Sequence, residues 1–525
     1  MIVSEDGGVQ VVDLPFPVAR ALIHHTIVTI LPLMKAVLLL LAAVLMLGGS
    51  APAATFTVNN NADSGLGSLR QAVLDATAAA GADTIVFALA LSGGTITLTS
   101  GQIVLSSDLT IDASGNPGGV TINGNNASQI FYVSSFDRSV ALNSVALTGA
   151  NGGAIFKGGG GSLTLMRCIL SGNRSPFGGA IISQGGAVTV VQCTVSENNA
   201  DQSGGAIFVL DGSLTLTSCT VSGNQALRGG AIYFAAARPS LLTHCTISGN
   251  IATVEGGGVF DQLTNLILTH CTISGNTAPT GKGSGVFSGA RTVVANSVIA
   301  GNVNSDVDSG FSNSFTSNGH NLVGTGDAVG PFNTPGDVTG ITNPLLAPLG
   351  NYGGFTQTRA LLPGSPARNA GAVLAPPVTG DQRGFPIVGT PDIGAYEAGT
   401  FTHYDAWAWE TLPATASAPQ HASVVDFDSD GVINGNEWLA LTDPGDSGSF
   451  LRVSQTAFSG GVFNVTFPTV LGRNYSLDAT TNLGNPNGWA TVPGSSVAGT
   501  GGPVTIPIAP FNGIPTYFVR IRVGP

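Results

Sequence analysis

In the stretch "SLTLTSCTVSGN" from Ser213, apolar and polar side chains alternate, with Leu214 and Leu216 on one side and Thr215 on the other. This is the period-two pattern of a half-buried β-strand. At Cys219 and Val221 the apolar positions change parity, so a bend or bulge is expected between two strands. A third short strand is predicted at "GGAIF" from Gly204. The whole pattern recurs: "CILSGN" starts at Cys168, "CTVSEN" at Cys193, "CTVSGN" at Cys219, "CTISGN" at Cys245 and at Cys271, and a degenerate "SVIAGN" at Ser297. The steps are 25, 26, 26, 26 and 26 residues, and the glycine landmark advances with them at Gly152, Gly178, Gly204, Gly229, Gly256 and Gly283.

A fixed period in this range is the mark of a solenoid. Paired glycines and many Thr, Val and Ile residues disfavour helical repeats. The pattern therefore predicts an all-β fold, a parallel β-helix with one three-sided coil of about 26 residues per repeat and equivalent residues about 4.8 Å apart along the axis. Cys168, Cys193, Cys219, Cys245 and Cys271 then form an inward column. Their spacing lies outside the disulfide window of roughly 3.5 to 4.5 Å between Cβ atoms, which predicts free thiols filling a narrow corner. Asn173, Asn198, Asn224, Asn250, Asn276 and Asn302 are expected to form an amide ladder at another corner, with asparagine taking left-handed turn geometry. Upstream, "SLRQAVLDATAAAGADTIVF" from Ser68 places Leu69, Ala72, Val73 and Ala76 on one helical face, as an N-terminal cap helix would.

Composition narrows the class. Only 9% of residues are charged, 74 are glycine and the net charge is -12, which suits turn-rich β structure and argues against nucleic acid as a partner. "MKAVLLLLAAVLMLGGSAPAA" from Met34 has a lysine, a twelve-residue apolar run from Ala36 to Leu47 and an A-x-A site at Ala51 to Ala53, the form of a secretory signal. The start is then Met1 or Met34, and membrane contact is expected only through this signal or another anchor. The mature chain is expected to be secreted or at the cell surface. The predicted organisation is residues 1–53 as extension and signal, 54–135 as cap and first irregular coils, 136–302 as regular coils, 303–400 as the closing region, 401–448 as a linker, and 449–525 as a small β-sandwich.

Few residues on the coils point to catalysis. A glycoside hydrolase needs two carboxylates about 5 to 9.5 Å apart, and Glu197, Asp211 and Asp261 do not align into such a pair. Arg228, Glu255 and Lys282 precede successive glycine landmarks and read as a salt-bridge ladder. Before each cysteine stand Arg167, Gln192, Ser218, His244, His270 and Asn296, a solvated polar column that would hold a metal only with a converging carboxylate. Thr194, Thr220, Thr246 and Thr272, with Ser196, Ser222, Ser248 and Ser274 two residues on, make a hydroxyl grid. Such a grid suits ice or glycans, although threonine ladders also simply make good sheets. No catalytic residue is assigned.

The sharpest local motif is "DFDSDGVINGNE", Asp426 to Glu437, which fits the calcium loop D-x-D-x-D-G-x5-E. Asp426, Asp428 and Asp430 would give carboxylates, Val432 its carbonyl, Asn434 the often water-bridged ninth place, and Glu437 a bidentate closure, with Ca²⁺ as the cofactor. "EWLALT" suits an exit helix, whereas "TASAPQHASVV" makes a poor entering one.

The coils resemble bacterial secreted right-handed parallel β-helix proteins with polymorphic outer membrane protein repeats, keeping "GGAI" while "CTISGN" stands for the usual "FxxN". "SNGHNLVG" from Ser317, "NPLLAPLGNYGGFTQTRALLPGSPARNAG" from Asn343 and "DQRGFPIVGTPDIGAYE" from Asp381 resemble a choice-of-anchor closing region. The resemblance implies an exported, non-catalytic scaffold for adhesion or glycan binding, with a polysaccharide or cell-surface glycan as partner. The alternative is a carbohydrate-active lyase or hydrolase on the same fold, and a minor one is an ice-binding face.

Overall fold

The computed structural model describes residues 53–524 except 135–136, 236–237, 280–281, 311–313, 376–377, 400–402, 484–487 and 510–517, together with a short strand pair at Ile2–Val3 and Val9–Gln10. The predicted signal segment lies outside the described residues. Among them, no helix is long and apolar enough to cross a membrane.

Three parallel sheets of 11, 10 and 9 strands run the length of the solenoid. One coil illustrates the path: Ser213–Thr217 lies in the first sheet, Thr220–Ser222 in the second and Ile232–Phe234 in the third. Between the second and third, Gln225–Arg228 joins a short fourth sheet of four strands. Like pairs with like from rung to rung, as in Thr194 with Thr220, Thr220 with Thr246, and Thr246 with Thr272. Leu214, Leu216, Val221, Ile232 and Phe234 point inward and are fully buried.

The expected bend between the first two strands is a single residue in left-handed conformation, with φ between 47° and 54° at Arg167, Gln192, Ser218, His244, His270 and Asn296. The thiol of each following cysteine donates across this corner to the carbonyl two residues back, for example Cys219 Sγ to Thr217 O at 3.3 Å and Cys245 Sγ to Thr243 O at 3.3 Å. All five thiols are free and buried. They do more than fill space, because each satisfies a carbonyl at the turn. Where the sixth unit has Ser297, its Oγ accepts from Cys271 N at 3.0 Å and donates to Ala295 O.

The asparagine ladder is present and buried. Asn173 Nδ2 donates to Asn198 Oδ1 at 3.0 Å, and the relay continues through Asn224, Asn250, Asn276 and Asn302 to Asp306 Oδ1. The left-handed turn falls to the preceding residue, not to asparagine: Gly172, Gly223, Gly249, Gly275 and Gly301 have φ of 63° to 74°, and Glu197 takes 56°. This frees the amide to turn inward and bond along the axis.

The helix α1 (Leu69–Ala78) buries Leu69, Ala72, Val73 and Ala76 and is N-capped by Ser68, whose Oγ accepts from Gln71 N. It is not a separate cap ahead of the coils. The edge strand Thr55–Val58 precedes it and pairs with Asp83–Phe87, so the helix is internal, inserted between the first two strands of the first sheet.

After the last rung the chain forms α2 (Tyr404–Thr411), one 3-10 turn at Ala418–His421, and α3 (Asn434–Ala440). The tail has two small antiparallel sheets. They share a core of Val465, Phe467, Tyr475, Leu477, Val492, Ile506 and Ile508.

Candidate functional site

The threonine grid is not a free face. Residues 345–375 and 378–398 fold back over the second sheet: Thr220 Oγ1 donates to Gln357 O, Thr246 Oγ1 lies 2.8 Å from Thr358 Oγ1 and 2.6 Å from Gln382 Oε1, and Thr272 Oγ1 accepts from Ala395 N at 3.0 Å. Thr220, Thr246 and Thr272 are buried as a result. The ice-binding expectation is corrected by this cover, because an ordered water layer needs an open grid.

The same cover removes the histidine column from solvent. His244 and His270 stack at 4.9 Å, Asn296 Nδ2 lies 3.1 Å from His270 Nε2, and both imidazoles are buried. Burial pushes His244 down to about 4 and His270 down to about 3, the latter helped by its neighbour, so both are neutral at pH 7. The column is packed at His244, His270 and Asn296, whereas Arg167 stays exposed and Gln192 and Ser218 are half-buried.

"DQRGFPIVGTPDIGAYE" supplies the anchor of this cover. Arg383 is fully buried, with Nε 2.7 Å from Asp381 Oδ2, Nη1 on Tyr352 O, Nη2 on Glu397 O, and its guanidinium 3.7 Å over the Tyr396 ring. Glu397 accepts from Val388 N and Asp392 N, and burial raises it to about 7. Gly394, at φ +109°, passes so close to the coils that an added Cβ would lie 2.7 Å from Thr272 Oγ1. Every charged group of the motif is engaged within the fold.

The expected charge ladder is only half formed. Arg228 Nε and Glu255 Oε2 lie 3.4 Å apart, but Lys282 turns to Asp327 at 2.6 Å. Asp261, which aligns with no outward acid, points into the core. It is fully buried, accepts from Thr264 N and Thr292 Oγ1, and is pushed up by burial to about 7. The unfolded chain titrates near 3.9, so between about pH 4 and 7 the unfolded state gives up a proton that the folded state keeps, and stability falls as pH rises. The expected result is that Asp261→Asn gains stability relative to the parent across that window and shows no relative change below it. Urea midpoints measured at several pH values test this.

An open site lies instead on the third sheet. The last residue of each glycine landmark points outward and forms a row in register, Phe156, Ile182, Phe208, Tyr233, Phe260 and Phe287, which Tyr132 on the preceding rung extends. From Phe208 onward the rings stack face to face, with centroids 5.5, 4.9 and 4.8 Å apart. The landmark's first glycine makes room for them, since a Cβ on Gly256, at φ +67°, would lie 2.7 Å from that of Phe260. Within the stack the ring faces are taken by neighbouring rings.

At Ile182 the row breaks. The missing ring leaves a cleft of about 420 Å³ lined by Phe156, Pro176, Phe177, Ile182, Phe208 and Leu210, with Gln129 and Gln184 at its edge. Phe177, from the fourth-sheet strand Arg174–Phe177, tilts 44° against Phe208 and stays 40% exposed. Gln129 Nε2 is shielded from solvent with no partner among the described residues. The ledge beside the cleft carries the exposed ion pairs Arg174–Asp201 and, further along, Arg228–Glu255. Comparing the landmark's final residues would have shown one aliphatic side chain among aromatics, but not the cleft it opens.

In the predicted calcium loop, Asp426, Asp428 and Asp430 each bring a carboxylate oxygen within 4.8 Å of the others. Glu437, on α3, is fully buried. Burial, then the charges of Asp428 and Asp430, raise it to about 7. Val432 N donates to Asp430 Oδ1. Asn434 is fully buried, its Nδ2 donating to Gln420 O and Ala422 O and its Oδ1 accepting from Phe427 N. It ties the loop to the preceding turn.

A family model described as "Right handed beta helix region" matches residues 153–327. Among curated proteins, none matches significantly. Among solved structures, the chain is similar to one titled "Crystal structure of pectate lyase Pel9A", at 18% identity and a TM-score of 0.38, over 67% of this chain and 98% of that one. At that likeness no residue of the enzyme is carried over. The finer resemblance, to polymorphic outer membrane protein repeats and a choice-of-anchor closing region, is not carried by these comparisons. One of the solved structures of this β-helical fold is titled a pectate lyase, and the expectation of a non-catalytic scaffold, with its leaning against an enzyme, is withdrawn.

Proposed function

We propose that the chain is an exported, carbohydrate-active β-helix protein, a polysaccharide lyase or glycoside hydrolase that takes an extended polysaccharide across the third-sheet cleft. The observation that carries this reading is the cleft at Ile182, where an apolar floor and an exposed aromatic face meet unpaired amide hydrogen-bonding capacity. A sugar ring has that same character, with apolar C–H faces and a hydroxyl rim, and ligand sites generally combine an apolar lining with a few polar groups. A solenoid also offers its face as a lane along which successive sugars lie. The carboxylates and guanidiniums of the neighbouring ledge are the groups from which general acid, base and uronate-binding roles would be drawn.

The test is incubation of the full chain with a panel of acidic and neutral polysaccharides, followed by both reducing ends and the ultraviolet absorbance of unsaturated uronates. New unsaturated ends mark a lyase, and reducing ends alone mark a hydrolase. Phe177→Ala should weaken binding of the active polysaccharide about tenfold, which is about 1.4 kcal/mol. Because Phe177 is 40% exposed and lies on the surface of the coils, this variant should stay close to the parent's thermal midpoint. No product from any polysaccharide, or a Phe177→Ala variant that works like the parent, would overturn the reading.

A further inference from the structure

The geometry points to a second site, independent of the cleft: a divalent cation bound at Asp426, Asp428, Asp430 and Glu437 that locks the C-terminal module onto the end of the solenoid. In both Asp428 and Asp430 one oxygen is used within the turn, Asp428 Oδ1 accepting from Asp430 N and Asp430 Oδ1 from Val432 N. The other oxygen of each is shielded from solvent and has no partner among the described residues, and the same holds for Glu437 Oε2. Glu437 is the independent observation. It comes from a helix outside the turn, has no exposed surface, and has Asp428 and Asp430 as the principal charges acting on it. Shielded, unpaired carboxylate oxygens are costly without a cation, and two of these three belong to the Asp426, Asp428 and Asp430 cluster, which the third, on Glu437, adjoins. Four carboxylates held in a loop that turns at Ser429 (φ 65°) and Gly431 (φ 92°) suit the larger, flexible oxygen shell of Ca²⁺ better than the tight octahedron of Mg²⁺.

The same short helix carries the joint. Trp438, the residue after Glu437, packs against Trp407 of α2 at 5.6 Å, and Arg473 of the tail donates to Trp438 O at 3.2 Å with its guanidinium 5.1 Å from the indole. Trp407 belongs to the helix that leads out of the solenoid's closing region, and neighbouring Ala406 is buried in the core formed by that region. An ion that fixes Glu437 therefore fixes Trp438, and with it the contact between the two bodies.

The test is calcium chloride titrated into chelator-treated full-length protein by calorimetry, with magnesium chloride in parallel, together with hydrogen exchange with and without the ion. The expected result is one calcium ion per chain, bound more tightly than magnesium, and slowed exchange in α3 and also around Trp407 and Arg473. Glu437→Gln should weaken calcium binding by about a hundredfold, while Asp446→Asn, on an exposed acid, leaves it unchanged. If Glu437→Gln does not fold, Asp428→Asn takes its place with the same expectation. A flat calcium titration overturns the site, and so does unaltered affinity in the ligand variant. Binding that slows exchange only within residues 426–437 overturns the lock.

Discussion

Asn224→Ala should lower the stability of the coils around it by about 3 to 5 kcal/mol, because each buried hydrogen-bonding group left without a partner costs about 1 to 3 kcal/mol. Asn224 Oδ1 accepts from Asn198 N at 2.9 Å and from Asn198 Nδ2 at 3.0 Å, while its own Nδ2 serves Val195 O, Ser222 O and Asn250 Oδ1. Truncation strands two donors of Asn198 and three acceptors, one on each of three successive rungs, in a corner where Asn198, Asn224 and Asn250 are at most 1% exposed. Asn224→Asp is also expected to destabilise, since a carboxylate accepts but returns no proton to Val195 O. In a solenoid each rung leans on its neighbours, so the loss should be local. Hydrogen exchange should speed up between about residues 193 and 250 while the terminal coils keep their protection. A stability from urea unfolding within about 1 kcal/mol of the parent's would show that the ladder carries little of the stability.

Arg383→Met is expected to release the closing segment from the coils at a cost of about 3 to 5 kcal/mol, the usual penalty for leaving one member of a buried ion pair behind. Asp381 is 3% exposed at its side chain and Arg383 is not exposed at all. Asp381 also receives Arg383 N, Phe385 N and Glu397 N, so the stranded carboxylate would sit at the centre of a folded loop. Protection against proteolysis should fall across residues 345–398 with the coil amides little changed. Adding Asp381→Asn to Arg383→Met should recover part of the loss, since it removes the uncompensated charge. If the single variant leaves the segment as protected as the parent, the ion pair is not what holds it.

These two sites also mark how far the sequence could be read. The solenoid was legible because its cause is periodic: Leu214 and Leu216 alternate, parity shifts at Cys219, and the same offsets return every 26 residues or so. The corner itself was less so. A left-handed residue is usually glycine or asparagine, whereas at five of these six corners it is Arg167, Gln192, Ser218 or a histidine, with Asn296 only at the sixth, held there by the rungs on either side. The covering of the threonine grid left no local trace. Its contacts join residues 112 to 162 positions apart, as in Thr246 with Thr358 and Thr220 with Gln382, and nothing periodic links the two partners. The cation loop was the reverse case, since the spacing from Asp426 to Glu437 named its carboxylates directly. Asn434, which the spacing set at the ninth place, spends its amide on Gln420 and Ala422 instead.

The closing segment also sets a rule for how this chain can change length. It is fastened at several points along the axis, to Thr220 and Thr246 through Gln382, to Thr272 through Ala395, and to Asn296 through Ala372. It thus behaves like a brace bolted across a fixed number of storeys. A duplicated repeat inserted between Thr220 and Asn296 would pull those bolts out of line by one layer, about 4.8 Å. The same insertion upstream of Arg167, whose guanidinium lies 3.9 Å over the Phe355 ring of the brace, would leave them aligned, so growth of the stack by duplication is free only at its N-terminal end.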